Sequence, residues 1–524
     1  MPKNALGPAG PAVLALVLGL WGITREDSMW RDEAATWMAA DRTLTGLWRL
    51  LDHADVVHGC YYLLMHGLFE LFGPGLGTLR LPSVLATACA AAATAATGRR
   101  LAGPWAGLLA GTAFVLLPST QRYAQEGRSY ALVVAAVAVA TWLLVTLAEG
   151  RPGARAATWR WAAYAGTMLV AALLNWFSLL ALLAHAGTVL RARRHGAGHL
   201  TRHWLVAAVV VVTGALPLVL ASRAQARQVA WIPALTWMTA LTPLGLLGAG
   251  LLCGLLVRRW PGAPSRAAKP AAPAVSVVSA GLPLLAVPVL ALLAASLVKP
   301  LYLERYILYA NVGLGLLLGA ALGVLVRSWR PFTALVLVAS AALLPLQLGL
   351  RTPQSRVDDV LAPADAVARL SRPGDGVLFI PSLRRDTAEV SPRLFAELDD
   401  VALVRSPADS GTLRGVEAAP ARIRKAMLAE RRILVVGDPE DHPGGSRDAT
   451  KQRVLAAFFV RCADAETRGR RVQVYERGTN CSGAPGLPEG AARHALRRPE
   501  PPELAPGRRA FRVEEPVPPY TAYR

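Results

Sequence analysis

The sequence is poor in charged residues, in cysteine and in metal-binding patterns. Only 17% of its 524 residues are Asp, Glu, Lys or Arg, whereas 53% are hydrophobic, and this composition excludes an ordinary soluble globular protein. Five cysteines are too few for a disulfide scaffold in a chain of this length. The sequence contains neither a CxxC nor an HExxH pattern, so it does not indicate a metal site. The hydrophobic composition instead favours a polytopic membrane protein.

Acidic residues are also scarce relative to basic ones, with 35 Asp and Glu against 56 Lys and Arg, which gives a formal charge of +21. Such a surplus can indicate nucleic-acid binding, but the chain contains no module that interleaves aromatic and basic residues for that purpose. Most of the surplus falls in alternate loops and in the Arg-rich C-terminal region. We therefore predict a membrane partner and no nucleic-acid partner.

Eleven apolar runs predict membrane-spanning helices by their length, although several are shorter than about 17 residues. The first run has no charged segment before it beyond Lys3 and no clear small-residue cleavage site, which indicates a retained anchor rather than a signal peptide. The predicted spans are Ala12–Ile23, Leu79–Thr97, Trp105–Leu117, Ala131–Leu147, Ala162–Leu174, Leu179–Leu190, Trp204–Ala221, Leu241–Val257, Val275–Val298, Ile307–Val326 and Phe332–Leu350.

Alternate loops between these runs carry the arginines, among them Arg99, Arg191, Arg258 and Arg327. Because cytoplasmic loops retain positive charge during insertion, we predict a cytoplasmic N-terminus. The loop after the first span and the hydrophilic part after Leu350 then lie outside the plasma membrane. The frequent Ala, Arg and Gly suit a high-GC bacterium.

A second, extracytoplasmic part begins after residue 350. Helical spacing predicts a helix over Pro363–Leu370 and another over Lys451–Arg461, and short apolar runs predict strands. These strands are Gly376–Pro381, Val401–Val404, Ile433–Val436 and Val472–Tyr475, the last of them a closing strand. The predicted organisation is a transmembrane domain over residues 1–350, a small α/β domain over 351–481 and a disordered Pro- and Arg-rich tail over 482–524. Cys462 and Cys481 are either bridged or free.

An acidic pair, Asp32 and Glu33, follows the first span within a long outer loop. Two interpretations are open. In the first, Asp32 caps a helix over Ala34–Ala40 and Glu33 complements its dipole. In the second, one carboxylate takes the proton of an acceptor hydroxyl while the other orients it. Amphipathic pieces of the same loop, Ala34–Leu51 and Tyr61–Phe72, predict helices that lie in the membrane interface.

Two further outer segments combine acids, arginines and tyrosines. The segment Gln121–Tyr130 contains Glu126 and Arg128, which either anchor the membrane boundary, as aromatic and basic residues often do, or add a second acid to an outer cavity. In Lys299–Tyr306, Arg305 either snorkels to lipid headgroups or compensates the charge of a phosphate leaving group. His58 is a candidate for the same cavity.

In their order and spacing, these motifs resemble the GT-C superfamily of polyprenyl-phosphate-sugar-dependent glycosyltransferases, in particular the bacterial relatives of protein O-mannosyltransferases and aminoarabinose transferases. The resemblance covers Ala12 to Leu350. It is carried by Asp32–Glu33, His58 with Tyr61–Leu64, Leu79–Ser83, Tyr123–Tyr130 and Arg305–Tyr306. Two departures are the Gly59–Cys60 that follows His58, where the family often has Pro-Pro, and the absence of a proline soon after Tyr306.

The resemblance implies an α-helical polytopic fold with about eleven transmembrane helices and a C-terminal extracytoplasmic α/β domain. It implies catalytic roles for Asp32 as base, Glu33 as its acidic neighbour and Glu126 as the second acid. Substrate contacts are implied for His58, Tyr62, Arg128, Arg305 and Tyr306, with Arg305 on the lipid phosphate.

The activity implied is inverting transfer of a sugar, for which mannose is a guess, from a polyprenyl-phosphate donor to a hydroxyl of a protein, glycan or lipid. The donor is a co-substrate, and no other cofactor and no metal are implied. A lipid-linked sugar flippase would share the apolar bulk, but the notable acids lie at the outer boundary rather than at mid-membrane. A non-catalytic envelope assembly protein is the other alternative, for which Asp32 would be dispensable.

Overall fold

The computed structural model describes residues 6–149, 154–225, 231–259, 275–440 and 445–481. They form two compact units, with the boundary between Val357 and Asp358 and with Gly411–Leu413 grouped with the first unit. We call them the membrane unit and the C-terminal unit. The tail predicted to be disordered, 482–524, lies outside the described residues.

The membrane unit contains, among the described residues, eleven helices that each cover most of one predicted span, and the predicted fold class is confirmed. Six of the helices are long and apolar enough to cross a membrane, and three more are shorter apolar helices. The eleven are α1 (Leu6–Leu20), α5 (Leu76–Ala102), α6 (Pro104–Leu116), α8 (Tyr130–Glu149), α9 (Ala154–Leu174), α10 (Leu179–Arg194), α11 (His199–Ala224), α12 (Trp237–Arg259), α13 (Val277–Ser296), α14 (Ala310–Leu325) and α15 (Trp329–Gly349).

Four shorter helices lie between the spans: α2 (Arg31–Ala40), α3 (Leu44–His53), α4 (Gly59–Phe72) and α7 (Pro118–Ala124). The amphipathic piece that we predicted over Ala34–Leu51 is two helices, because Thr43 caps α3 by accepting a hydrogen bond from the Gly46 amide. Leu47 and Leu50 of α3 are buried, whereas Trp48 is exposed. The helix thus has the one-sided burial expected of an interfacial element.

Glycines allow the closest contacts between spans. A Cβ atom at Gly319 of α14 would lie 2.3 Å from the backbone nitrogen of Ala110 in α6, and one at Gly313 would lie 2.4 Å from the Gly281 carbonyl oxygen of α13. Small residues at such crossings are typical of helix association in membranes, where backbones approach closely to gain packing. By contrast, most side chains of α11, α12 and α15 are not buried within the chain, as expected for helices that face lipid.

The C-terminal unit is an α/β fold. Its elements are α16 (Ala362–Leu370), β1 (Gly376–Ile380), α17 (Asp386–Val390), β2 (Asp399–Asp400), β3 (Leu403–Arg405), α18 (Pro407–Ser410), β4 (Val416–Glu417), α19 (Pro420–Met427), β5 (Arg432–Gly437), α20 (Ser446–Phe458), β6 (Phe459–Thr467) and β7 (Arg470–Arg477). The five-stranded sheet has the order β2-β1-β5-β7-β6, in which β2, β1 and β5 are parallel and β7 is antiparallel to both of its neighbours. A two-stranded sheet pairs β3 with β4.

Two sequence predictions for this unit were wrong in detail. The helix predicted over Lys451–Arg461 ends at Phe458, and the chain continues as β6, which the sequence analysis missed. The strand predicted at Val472–Tyr475 lies inside β7, which is flanked by β5 and β6 rather than closing the sheet. Cys462 and Cys481 form a disulfide, which settles the alternative that the sequence left open.

Candidate active site

Glu33 lies in the first turn of α2 and is completely buried. Arg80 of α5 donates to both of its carboxylate oxygens, from Nε and Nη2, at 2.8 Å each. Arg25 donates to Oε1 at 2.6 Å, and the Gly127 amide donates to the same oxygen at 3.0 Å. Four donors thus tie α2 to the segment before it, to α5 and to the loop after α7.

This environment fixes the ionisation of Glu33. Burial alone would raise the pKa of its carboxyl group, but the guanidinium groups of Arg25 and Arg80 outweigh burial and hold the pKa well below its usual range. A carboxylate that accepts four hydrogen bonds from charged and backbone donors is a poor proton acceptor. Glu33 therefore suits a positioning role for α2.

Asp32 has a different environment, as expected for neighbouring residues whose side chains diverge by about 100° on a helix. Its side chain is 18% exposed, and Oδ2 lies 3.5 Å from Nη2 of Arg305. The helix begins at Arg31 with Trp30 as its N-cap residue, and no side-chain capping bond is made. Asp32 is thus inside the first turn and is not the cap of a helix over Ala34–Ala40.

Arg305 lies in a short 3-10 helix, Glu304–Ile307, and its side chain is 13% exposed. Its guanidinium carbon lies 5.9, 5.8 and 5.5 Å from the ring centroids of Trp30, Tyr130 and Trp231, respectively, which is within cation–π range. Burial acts to lower the pKa of Arg305, but neighbouring tyrosines and Asp32 raise it above its usual range. Arg305 is a permanent cation beside Asp32.

Arg128 and Tyr62 lie on another side of the same region. Nη1 of Arg128 donates to the Tyr62 hydroxyl at 3.1 Å, and that hydroxyl donates to Oδ2 of Asp55 at 3.0 Å. The ring of His58 lies 5.9 Å from that of Tyr62. Burial, together with the nearby Arg128, lowers the pKa of His58 well below its usual value, so its imidazole is neutral at pH 7.

Glu126 is 1% exposed, and its Oε2 accepts from Nη2 of Arg356 at 3.2 Å. Burial raises the pKa of its carboxyl group, and Arg356 only partly compensates. The Ser83 hydroxyl donates to the Glu126 backbone carbonyl at 2.6 Å, which fixes this loop against α5. Glu126 therefore belongs to the buried cluster around Glu33 more than to the partly exposed surroundings of Asp32.

Tyr306 extends the region through its ring, which stacks on Phe177 at 5.0 Å with an interplanar angle of 12°. Phe177 in turn stacks on Trp176 at 4.0 Å. The Asn175 side-chain amide contacts the Tyr306 carbonyl at 3.4 Å. These contacts hold the Arg305 segment against the chain between α9 and α10.

Four buried polar atoms near Asp32 have no hydrogen-bond partner in the part of the chain that the structure describes: Nε1 of Trp30, Nδ1 of His58, and Nε of Arg128 and Arg305. Asp32 interacts electrostatically with His58 and Arg128 and contacts Arg305. Because buried polar groups in native proteins are almost always satisfied, these four atoms are candidates to contact a polar ligand.

The structure thus brings Asp32, His58, Tyr62, Arg128, Arg305 and Tyr306 together, and it sets Glu33 and Glu126 in the adjoining buried cluster. The sequence analysis assigned no role in the site to Arg25, Arg80 or Trp30. A signal existed for Arg80, which is an isolated arginine in an apolar segment, Leu79–Ser83. Within the described ranges, no three His, Cys, Asp or Glu side chains are grouped so that they could hold a metal ion.

Comparison with solved structures identifies the architecture. ArnT from Cupriavidus metallidurans in the apo state is similar over 88% of this chain and 97% of its own, with a TM-score of 0.57 and 15% identity. ArnT from the same organism bound to undecaprenyl phosphate matches over 90% and 98%, with a TM-score of 0.54 and 17% identity. No protein-family model matches the chain, and no curated protein matches it by sequence.

Structural similarity at 15–17% sequence identity shows that the fold is shared. The chain is a multi-pass membrane protein with the fold of these two ArnT structures, and the fold that the resemblance implied is confirmed to that extent.

Proposed function

We propose that the protein is an inverting glycosyltransferase that moves a sugar from a polyprenyl-phosphate donor to an acceptor hydroxyl. The observation that carries the proposal is the contrast within the acidic pair. Glu33 is buried and saturated with donors, whereas Asp32 is partly exposed beside a cation. One carboxylate is thus partly exposed, and its neighbour holds the helix that carries it.

In the proposed reaction, Asp32 accepts the proton of the acceptor hydroxyl. The acceptor oxygen attacks the anomeric carbon as the bond from that carbon to the phosphate oxygen breaks, which inverts the configuration. The leaving phosphate gains negative charge, and a preorganised cation stabilises such charge without requiring a general acid.

Arg305 and Arg128 are the proposed partners of the donor phosphate, since a guanidinium group offers paired donors that match phosphate oxygens. Both side chains are largely buried, and each has a polar atom that lacks a partner within the described residues. One of the similar structures, ArnT from Cupriavidus metallidurans, is bound to undecaprenyl phosphate, which supports a lipid phosphate as ligand for this fold.

Neutral His58, together with Tyr62 and Tyr306, is proposed to contact the donor sugar. Mannose is our first candidate for that sugar. We propose Glu126 as a second acid that supports the site from the buried cluster. The acceptor is a protein, a glycan or a lipid.

The proposed location is the outer face of a bacterial plasma membrane, with a cytoplasmic N-terminus. The Cys462–Cys481 disulfide supports an oxidising compartment for the C-terminal unit. The arginines of alternate loops support the same orientation through the positive-inside rule.

The deciding experiment compares purified wild-type protein with Asp32→Asn in reactions that contain polyprenyl-phosphate mannose and membrane extract. Donor consumption and transfer to an acceptor are followed by mass spectrometry. We expect Asp32→Asn to lower transfer by about 10²- to 10⁴-fold, which is the contribution of a positioned base, without loss of folded protein.

Asp27→Asn is the matched control, because Asp27 is an exposed acid of the same loop whose left-handed backbone, with a φ of 55°, an asparagine tolerates. It should retain full activity. A fully active, well-folded Asp32→Asn protein would refute the proposed role, and other polyprenyl-phosphate sugars replace mannose if the wild type leaves that donor unused.

A further inference from the structure

The contact between Asp32 and Arg305 presents a problem for the proposed mechanism. Arg305 is the proposed phosphate ligand, yet its Nη2 lies 3.5 Å from Oδ2 of the proposed base. The ion pair places the guanidinium group directly against the carboxylate oxygen that would have to accept the proton. The guanidinium group also lies where an acceptor hydroxyl would have to approach Oδ2. The base is therefore engaged in the structure as it stands.

We infer that Arg305 is a gate on Asp32: it occupies the base until a lipid phosphate draws it away, so that the donor must bind before the acceptor. The inference rests on the proposed function and adds to it the order of binding.

The surroundings of Arg305 suit a group that changes partners. Three aromatic rings, of Trp30, Tyr130 and Trp231, surround the guanidinium group within 6 Å, and cation–π attraction acts over distances up to about 6 Å from the ring centroid. Its Nε has no partner among the described residues. The side chain can therefore shift from carboxylate to phosphate while it keeps its aromatic contacts.

The two arginines that bind Glu33 are, by contrast, each held by several hydrogen bonds. Arg80 makes two hydrogen bonds to the carboxylate and two more to the Ile23 and Ser28 carbonyls. Arg25 bonds to Glu33 and to the Gln125 carbonyl. Withdrawal of either would break several bonds at once, whereas withdrawal of Arg305 from Asp32 breaks one long ion pair.

The same gate acts at the end of the reaction. When the sugar leaves, the lipid phosphate changes from a diester with one negative charge to a monoester with more, so it holds Arg305 more strongly than the donor does. Asp32 remains uncovered until the lipid phosphate departs, and it is then covered again. Release of the lipid product therefore resets the site.

The test is a double-mutant cycle on affinity for undecaprenyl phosphate, measured with the full-length protein in lipid nanodiscs. The four proteins are the wild type, Asp32→Asn, Arg305→Met and the double variant, where methionine keeps an apolar contact with the rings. If Asp32 competes with phosphate for Arg305, Asp32→Asn tightens binding by about tenfold in the wild-type background, a change equivalent to about 1.4 kcal/mol. In the Arg305→Met background the same change should have an effect below about twofold, because the competition is gone.

The outcomes separate the gate from the proposed function. Equal tightening by Asp32→Asn in both backgrounds would mean simple repulsion between the carboxylate and the phosphate, and it would overturn the gate. Failure of the folded wild type to bind undecaprenyl phosphate would overturn the proposed donor class and the gate with it. Glu26→Gln, which neutralises an exposed acid of the same loop, is the charge control and should leave the affinity unchanged.

Discussion

Replacement of Glu33 by glutamine tests whether Glu33, and not its neighbour Asp32, stabilises the membrane unit. Glutamine keeps the size of the side chain and loses its charge. Arg25 and Arg80 would then be buried cations, 1% and 0% exposed, without their carboxylate. We expect Glu33→Gln to destabilise the membrane unit, whereas Asp32→Asn leaves its stability nearly unchanged.

The magnitude follows from burial. Removal of one partner from a buried ion pair typically costs about 3–5 kcal/mol, because the remaining charge is left uncompensated in a low-dielectric region. The glutamine amide also places a donor group where Arg25, Arg80 and the Gly127 amide all donate. For a domain of this size, about 2 °C of melting temperature corresponds to 1 kcal/mol, so we expect a decrease of about 6–10 °C.

The assay is thermal unfolding of the purified variants in detergent, followed by intrinsic tryptophan fluorescence at several pH values. A carboxyl group whose pKa is depressed on folding contributes stability that is fully present above its ordinary value of 4.5 and is lost as the pH falls below it. The difference between wild type and Glu33→Gln should therefore be constant near neutral pH and shrink in acid. Equal melting temperatures at pH 7 would refute a structural role for Glu33.

Two further predictions concern packing and polar contacts between spans. Gly319→Ala should destabilise the protein by about 1–3 kcal/mol, because the new methyl group meets the Ala110 backbone. The control is Gly245→Ala, whose methyl group meets nothing within 4 Å and should leave the stability unchanged. Equal melting temperatures of the two variants would contradict the close crossing of α14 and α6. The Tyr164 hydroxyl lies 2.9 Å from Nδ1 of His185 and accepts from Nε1 of Trp204 at 3.2 Å. Tyr164→Phe should therefore cost about 0.6–1.7 kcal/mol for each bond, the average and the maximum found for hydrogen bonds between membrane helices. An unchanged melting temperature in the same assay would mean that these bonds contribute nothing.

The spans could be predicted from sequence because an apolar run of sufficient length is a local signal. A change from helix to strand that depends on pairing with a distant strand could not be predicted in this way. Val454, Leu455 and Phe458 have helical spacing that continues into Phe459, so the sequence favours one long helix there. The chain instead becomes β6 because a strand at that position pairs with β7 over its whole length, and this contribution is absent from local propensity.

For the candidate site, the sequence indicated segments that the structure brings together, but it did not distinguish their roles. Asp32 and Glu33 are adjacent, and spacing alone gave no reason to choose between them as base. The choice depends on Arg80, which is 47 residues away from Glu33 in sequence, and on Arg305, which approaches Asp32 from a still more distant segment. Partners this remote meet only through the packing of the spans.

The adjacency of Asp32 and Glu33 has a physical explanation. A catalytic carboxylate must be reachable and therefore sits where the structure is least constrained, so its position has to be fixed by something rigid close by. Glu33 supplies this through hydrogen bonds to Arg25, Arg80 and the Gly127 amide. Because it is next to Asp32 in the same helical turn, an error in the placement of one displaces the other. The resulting rigidity lies in the buried neighbour, and under the proposed function this allows Asp32 to exchange the Arg305 cation for an acceptor proton.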